Sequence, residues 1–532
     1  MSEGRPNHEH SQACRCGHGL TAADPIADKY EARQRRRALV MAVVILGIAL
    51  VSDEAEARPG GGHSYSGGGS SSGGSGGGGG GGELIFMLLR LCIYYPKIGI
   101  PILLAVIAYF YFKSRTGKPT DWNSPAAAAA PRSSGDLTKI LAVDPHFSPI
   151  VFQDFIYRLF ASAHQARRIP DDLAALAPYL SEEVSRKLSE RPPVNLPISN
   201  VVIGSLRVLS VDVPSREELR SAQVQETGAE PLPEPQVKVR LAFEANMSTA
   251  QHTYYTEEIW TLCRSVHAKS RPPEKADVLG CPHCGAPFTS SDNSRCDYCG
   301  EIVANGRFDW QVQHINVLRQ DERKPALTGG VAEHGTDLPT IIDPHLRRKW
   351  ESLTIDDSEL SVNNLRARVE MIYKELNEGW SKLDAEHLRP YVSDGMFDYL
   401  RYWLDAYREQ GLKNLLAEAG IEKVLLVKVS RDRYYDAVTL RIYASGKDYT
   451  VNDSGKVVGG SKRRRRAYSE YWTLIRGADV RGAPRTDANC PKCGAGLKIS
   501  AAGNCEYCDA HITRGEFDWV LSKIEQDESY SG

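Results

Sequence analysis

Two continuous apolar runs come before any periodic pattern in this chain. The first, Ala38–Val51, follows the basic cluster Arg33–Arg37 and precedes an A-x-A site at Ala57. As a helix it measures about 21 Å, short of the roughly 30 Å hydrocarbon core. It therefore reads as a signal segment, cleaved after Ala57 or retained as an anchor. The second run, Leu84–Phe112, is long enough to span. Arg90 and Lys97 move the expected span towards Leu91–Phe112, and Lys113, Arg115 and Lys118 follow it. Gly60–Gly82 between the runs lacks the apolar side chains needed to offset its ordering entropy and reads as a flexible linker. The alanine-rich stretch before residue 137 reads as a tether.

Beyond it the pattern turns periodic and occurs twice. Phe152, Phe155, Ile156, Leu159, Phe160 and Ala163 share one helical face. Val369, Ile372, Tyr373, Leu376, Trp380 and Leu383 do the same. "LAPYLSEEV" from Leu176 answers "LRPYVSDGM" from Leu388, each placing a serine and an acid where a helix would start. Alternating stretches follow in matched pairs: Asn200–Val213 with Ile421–Ser430, Val237–Ala245 with Ala437–Ser445, Tyr255–Arg264 with Ala467–Arg476, and Gly306–Ile315 with Gly515–Ile524. These predict antiparallel strands, and the order predicts an α+β fold with helices packed on one face of a twisted sheet.

The chain then divides into an extension with its signal (1–57), a Gly/Ser-rich linker (58–83), a transmembrane segment (84–112), a tether (113–136), a first body (137–319), a linker (320–342) and a second body (343–527). A net charge of −2 gives no global pull towards nucleic acid, so any such binding needs a local patch. With the signal cleaved or retained, the basic flank after Phe112 places both bodies in the cytoplasm of a bacterial-type inner membrane, single-pass after cleavage.

Eight of the 12 cysteines sit in two stretches, each patterned C-x2-C-x11-C-x2-C. Cys281, Cys284, Cys296 and Cys299 form one set, within a ribbon at 278–303; Cys490, Cys493, Cys505 and Cys508 form the other, at 487–512. Paired C-x-x-C turns supply four thiolates at tetrahedral reach, which predicts two structural zinc ions, with iron as the rival metal. A site closed by four cysteines leaves no position for an activated water.

The opening "DPHFSPIVFQDFIYRLFASAHQA", the "PYLS" turn and the paired "EIWTL" and "FDWQVQHI" strands resemble a known family. It is the C-terminal domain of the 44-kilodalton subunit of the mitochondrial inner-membrane import translocase, with its bacterial relatives. The "RPGGGHSYSGGGS" tract and "IYYPKIGIP" span resemble the layout of the bacterial members. The likeness covers residues 58–319 well and 343–525 more loosely. It implies two tandem cone-like domains of the nuclear-transport-factor-two-like type, each with an apolar pocket, and a non-enzymatic adaptor role at a membrane. The duplication and the cysteine inserts depart from the family, and the mitochondrial subunit's motor-recruiting part has no counterpart here.

Lys462, Arg463, Arg464, Arg465 and Arg466 have no equivalent in the first copy and are expected at a hairpin tip, contacting anionic lipid or phosphate. Trp260, Trp310, Trp472 and Trp519 recur at matched strand positions and are expected in the core, while His146 and His345 fall in matched "DPH" segments. His164, His283, His314 and His511 have no carboxylate at helpful spacing, so no catalyst is assigned. The expected protein is a membrane-anchored adaptor that docks unnamed proteins or anionic lipid. Against it stand a zinc-ribbon nucleic-acid binder and an enzyme using the cone's cavity.

Overall fold

The computed structural model describes residues 91, 94–115, 128–129, 135–193, 196–215, 217–219, 234–276, 278–290, 294–322, 327, 338–500, 502–527 and 529–532. The signal segment, the glycine tract and residues 84–90 lie outside these. The chain forms two compact units, one containing helix α1 (Pro96–Arg115) and the other running from Thr120 to Gly532.

Among the described residues no helix is long and apolar enough to cross a membrane. Of the expected span Leu91–Phe112, residues 92 and 93 lie outside the described residues. Helix α1 starts at Pro96, and its uncharged stretch from Ile98 to Phe112 would cover only about 22 Å.

In the larger unit a first antiparallel sheet has the order β1 (Asn200–Asp212), β2 (Gln236–Ser248), β3 (Thr253–Ser265), β4 (Gln311–Glu322). Helices α2 (Pro149–Ala166), α3 (Pro170–Ala175) and α4 (Glu182–Glu190) precede it. The six apolar positions of α2 all enter one core with Trp260 and Trp310. Ser148 caps α2 through Val151 N–H, and Ser181 caps α4 through Val184 N–H.

The second sheet follows helices α5 (Leu346–Asp356), α6 (Val362–Lys382) and α7 (Asp394–Glu409). Its strands are β5 (Leu412–Arg431), β6 (Tyr435–Asn452), β7 (Val457–Gly460), β8 (Arg466–Gly477) and β9 (Val520–Gln526), in the order β9-β8-β6-β5 with β7 against β6. Its core gathers Val369, Ile372, Tyr373, Leu376 and Trp380 of α6 with Trp472 and Trp519. Ser361 and Ser393 cap α6 and α7 as Ser148 and Ser181 do in the first half.

Three expectations need correction. The two "DPH" segments are not equivalent. Asp144 lies four residues before the cap of α2, and its counterpart before the cap of α6 is Asp357; Asp343–His345 instead leads into α5. Trp310 and Trp519 stand just before β4 and β9, because Gly306 and Gly515 turn the chain in a left-handed conformation against the end of β3 or β8. A Cβ at either glycine would come within 3 Å of that backbone, at 2.7 and 2.9 Å. Finally, β5 and β6 are longer than the alternation predicts, and Lys462–Arg466 joins β7 to β8 instead of sitting at a simple hairpin tip.

Both halves share one buried constellation. The last arginine of β3 or β8 meets the aspartate before the main helix: Arg264 with Asp144 at 2.9 Å, Arg476 with Asp357 at 2.8 Å. Each guanidinium lies over the tryptophan that precedes the last strand, 4.7 Å from Trp310 and 4.5 Å from Trp519. Removing one partner strands a charge inside the protein, which costs about 3–5 kcal/mol. Asp144→Ala and Asp357→Ala should each lower stability by about that amount in urea unfolding. A loss under 1 kcal/mol would mean that water reaches the arginine.

Candidate metal centres

The first cysteine stretch lies between β3 and β4, the second between β8 and β9. In the first, Gly285 N–H donates to Cys281 O (2.8 Å) and Gly300 N–H to Cys296 O (2.8 Å), closing two tight knuckles. Both glycines have φ above +70°, where a side chain would be strained. In the second, Gly494 N–H donates to Cys490 O (2.9 Å) and Asp509 N–H to Cys505 O (2.8 Å).

The knuckles face each other and bring four sulfurs together. Cys281 and Cys299 are 3.9 Å apart at Sγ, as are Cys284 and Cys296; Cys490 and Cys508 are 3.8 Å apart. In each set the four ligand atoms lie within 4.8 Å of one another. Disulfides require about 2.05 Å. Four thiolates about 2.3 Å from a central ion would be about 3.8 Å apart, so the donor set fits a tetrahedral thiolate-bound metal. Only a few apolar side chains support each ribbon: Phe288 and Val303 in the first, Ile499 and Ile512 in the second. That is too little core to hold a loop without a metal.

Each ribbon is also pinned to its body. Tyr179 donates its hydroxyl to Gly280 O (2.7 Å), and Arg271 bridges Tyr179 and Asp309. In the second half Asp394, in the first turn of α7, accepts from Thr513 (2.8 Å) and pairs with buried Arg389 (2.5 Å). This anchoring was not legible from the cysteine spacing, because its partners lie more than a hundred residues away.

Lys462, Arg463 and Arg464 stand exposed on a turn in which Ser461 Oγ accepts the N–H groups of Arg463 and Arg464. Arg465 turns back, donating to Ser445 Oγ (2.7 Å) and Glu418 O (3.0 Å), and Arg466 opens β8. Arg465 nevertheless stays exposed, and Arg466 is half-buried.

The fold also builds a charged cluster that sequence spacing missed. His164 of α2 lies 3.3 Å from Glu258 of β3, which pairs with Arg191 (2.6 Å) and accepts from Trp260 (2.8 Å). Burial pushes His164 down to about 4, outweighing Glu258. Burial opposes ionisation of Glu258, but His164 and Arg191 more than offset it and hold the carboxylate well below its ordinary range. These groups lie among packed rings and are engaged with one another, as core supports are. A third group, Glu375, Glu378 and His387, brings carboxylates near an imidazole. Ordinary ion pairs account for it: Glu375 with His387 (2.9 Å) and Glu378 with Lys382 (2.6 Å).

Helices over one face of an antiparallel sheet, with a four-cysteine ribbon ahead of the last strand, define an α+β protein with two four-cysteine inserts that could hold a metal. Within it, residues 351–485 match the model of the Tim44-like domain family. The matched segment begins inside α5, runs through β8 and stops before Cys490, so the second ribbon lies outside it. It falls in the half where the sequence resemblance is looser. No curated protein matches the chain.

Two outcomes follow from the site. Metal analysis of the purified chain should find two tightly held ions. Cys281→Ser with Cys284→Ser should leave one, with the first sheet still folded by circular dichroism; unfolding of the whole first half would show that the ribbon is no insert. The second concerns pH. Unfolded His164 takes up a proton near 6.5 and folded His164 only near 4, so stability drops as pH falls through that window. His164→Asn, which copies Asn377 at the equivalent place in α6, should flatten that slope in urea titrations between pH 6.5 and 4. An unchanged slope would assign it to other groups.

Proposed function

We propose that this is a membrane-anchored, non-enzymatic adaptor. It displays two copies of one cone-like, nuclear-transport-factor-two-like domain on the cytoplasmic side of a bacterial-type inner membrane and docks proteins there. The Tim44-like match at residues 351–485 carries this reading, since that family supplies translocase-associated binding bodies. The signal segment and the apolar run Leu84–Phe112 support the anchoring. Two zinc ions hold the ribbons; four thiolates fill each coordination shell, which suits scaffolding and leaves no place for an activated water.

The outward part of the basic turn, Lys462, Arg463 and Arg464, provides a contact with anionic headgroups. Each such charge is worth about 1 kcal/mol at an anionic surface. The net charge of −2 gives no global pull towards nucleic acid as the partner.

Crosslinking in intact membranes, followed by identification of the attached molecules, tests the adaptor reading, and specific protein adducts on the second body are expected. Recovery of nucleic acid alone would replace this reading with the zinc-ribbon nucleic-acid one. In vesicle flotation, changing Lys462, Arg463 and Arg464 to serine should weaken binding of residues 120–532 to phosphatidylglycerol vesicles about a hundredfold. Equal binding by wild type and variant would remove the lipid contact.

A further inference from the structure

Each ribbon rests on the turn that leads into α4 or α7, but three positions at this joint change together between the halves. The first half has Ala177 in the turn, Ser294 ahead of the third cysteine and Ala304 after the last. At the matching places the second half has Arg389, Gly503 and Thr513. The first joint is apolar: Ala177 packs against Cys281, Phe288, Cys296 and Val303 of the ribbon. The second is charged.

Arg389 is only 2% exposed. Its guanidinium donates to Asp394 in the first turn of α7 (2.5 Å) and lies 4.7 Å from the Phe397 ring. Thr513 is fully buried and donates its hydroxyl to the same carboxylate (2.8 Å). Ile512 N–H donates to Gly503 O (2.9 Å) and closes the ribbon's loop beside this pair. A Cβ at Gly503 would stand 2.8 Å from Arg389 Nη2 and 2.9 Å from His511 Nε2, and would overlap the Thr513 hydroxyl. Glycine, at φ +86°, is therefore what lets the loop close over the arginine; the serine of the first half would not fit.

A buried charge needs both its counter-ion and its cover. Here the cover, Gly503 and Thr513, belongs to a loop with too little core to keep its shape without a metal. When that loop opens, water reaches Arg389 and Asp394 and solvates both ions, so this joint does not oppose the opening. In the first half the same opening would strip apolar cover from Ala177 and Phe288, which opposes it. The two ribbons are joined to their bodies by opposite chemistry.

The second joint also borders a cleft of about 570 Å³. Asp394, Met396 and Phe397 of α7 line it, together with Thr513 and Arg514 from the ribbon's return. Ser393 caps α7 through Met396 N–H, and Met396 and Phe397 continue into the core. The start of α7 is thus core on one side and cleft wall on the other.

We infer that Arg389, Asp394 and Thr513 form a latch through which metal loading of Cys490, Cys493, Cys505 and Cys508 holds the start of α7 and this wall of the cleft, a coupling absent from the first half. The inference rests on the reading of the second ribbon as a metal site and adds a conformational consequence to it.

The test uses the full chain in detergent micelles, loaded with cobalt(II), whose thiolate charge-transfer absorption reports occupancy. Hydrogen exchange read by mass spectrometry then compares α7 with α4 before and after stripping with EDTA. Exchange in Met396–Leu400 should quicken about tenfold on stripping, while Val184–Leu188 of α4 changes less than about twofold. Thr513→Val and, separately, Asp394→Asn should keep the cobalt spectrum and the near-ultraviolet circular dichroism, yet exchange at the stripped rate while loaded. Unchanged α7 exchange on stripping, equal quickening in α4 and α7, or full protection of both loaded variants would each overturn the latch. Quickening that spreads through β6 would overturn it too, because the ribbon would then be needed by the whole half. Absence of the cobalt absorption would remove the metal reading and the latch with it. Failure of the latch in cobalt-loaded protein leaves the metal reading standing.

Discussion

In each half, everything converges on one arginine at the end of the strand before the ribbon, β3 or β8. Arg264 and Arg476 are almost wholly buried, and each needs an anion inside the protein. Asp144 and Asp357 supply it from the segments before α2 and α6, so the ion pair fixes where each main helix starts over its sheet. The same aspartates accept backbone N–H groups from the chain on its way to the ribbon, Ser270 at 2.8 Å and Gly482 at 3.1 Å. The tryptophan under each guanidinium stands where the chain returns. Helix, sheet, ribbon exit and ribbon return therefore share one electrostatic anchor, and a ribbon can be inserted there without disturbing the ladder.

Around this shared anchor the halves differ in ways that physical chemistry makes specific. Where α2 carries His164 and Arg167, the equivalent turns of α6 carry Asn377 and Trp380. The first half thus closes its core with a charged cluster around Glu258. The second closes it with Trp380, which donates to Asn414 (2.9 Å). Glu470, the counterpart of Glu258, still accepts from its tryptophan, Trp472, at 3.0 Å. The strand motif is kept while its surroundings diverge, as expected when one half retains a scaffold and the other changes its contacts.

The halves also do more together than apart. β6 is buried along nearly its whole length because helices cover one face, while α2 of the other half packs at its start and Tyr530 stacks on neighbouring Tyr471 against the other face. That arrangement leaves residues of β1 and β9 lining a common cleft, with Arg514 from the second ribbon's return on its wall. A four-cysteine insert thereby takes part in shaping a surface of the body that carries it.

The sequence by itself determined the local features. The apolar faces of α2 and α6, the serine caps, the α+β order and the two four-cysteine sets all follow from spacing, because each depends on residues within a turn or two of one another. It misjudged the starts of β4 and β9, because the left-handed glycines that delay them act against a strand distant in sequence. It paired the wrong aspartates for the same reason: Asp357 is recognised by its ion pair with Arg476, more than a hundred residues away. The tertiary structure alone decided which histidines meet a carboxylate, that Arg465 bonds back to Ser445 and Glu418, and that β1 and β9 line one cleft. These depend on how separate elements pack, and a one-dimensional pattern carries no distance between residues far apart along the chain.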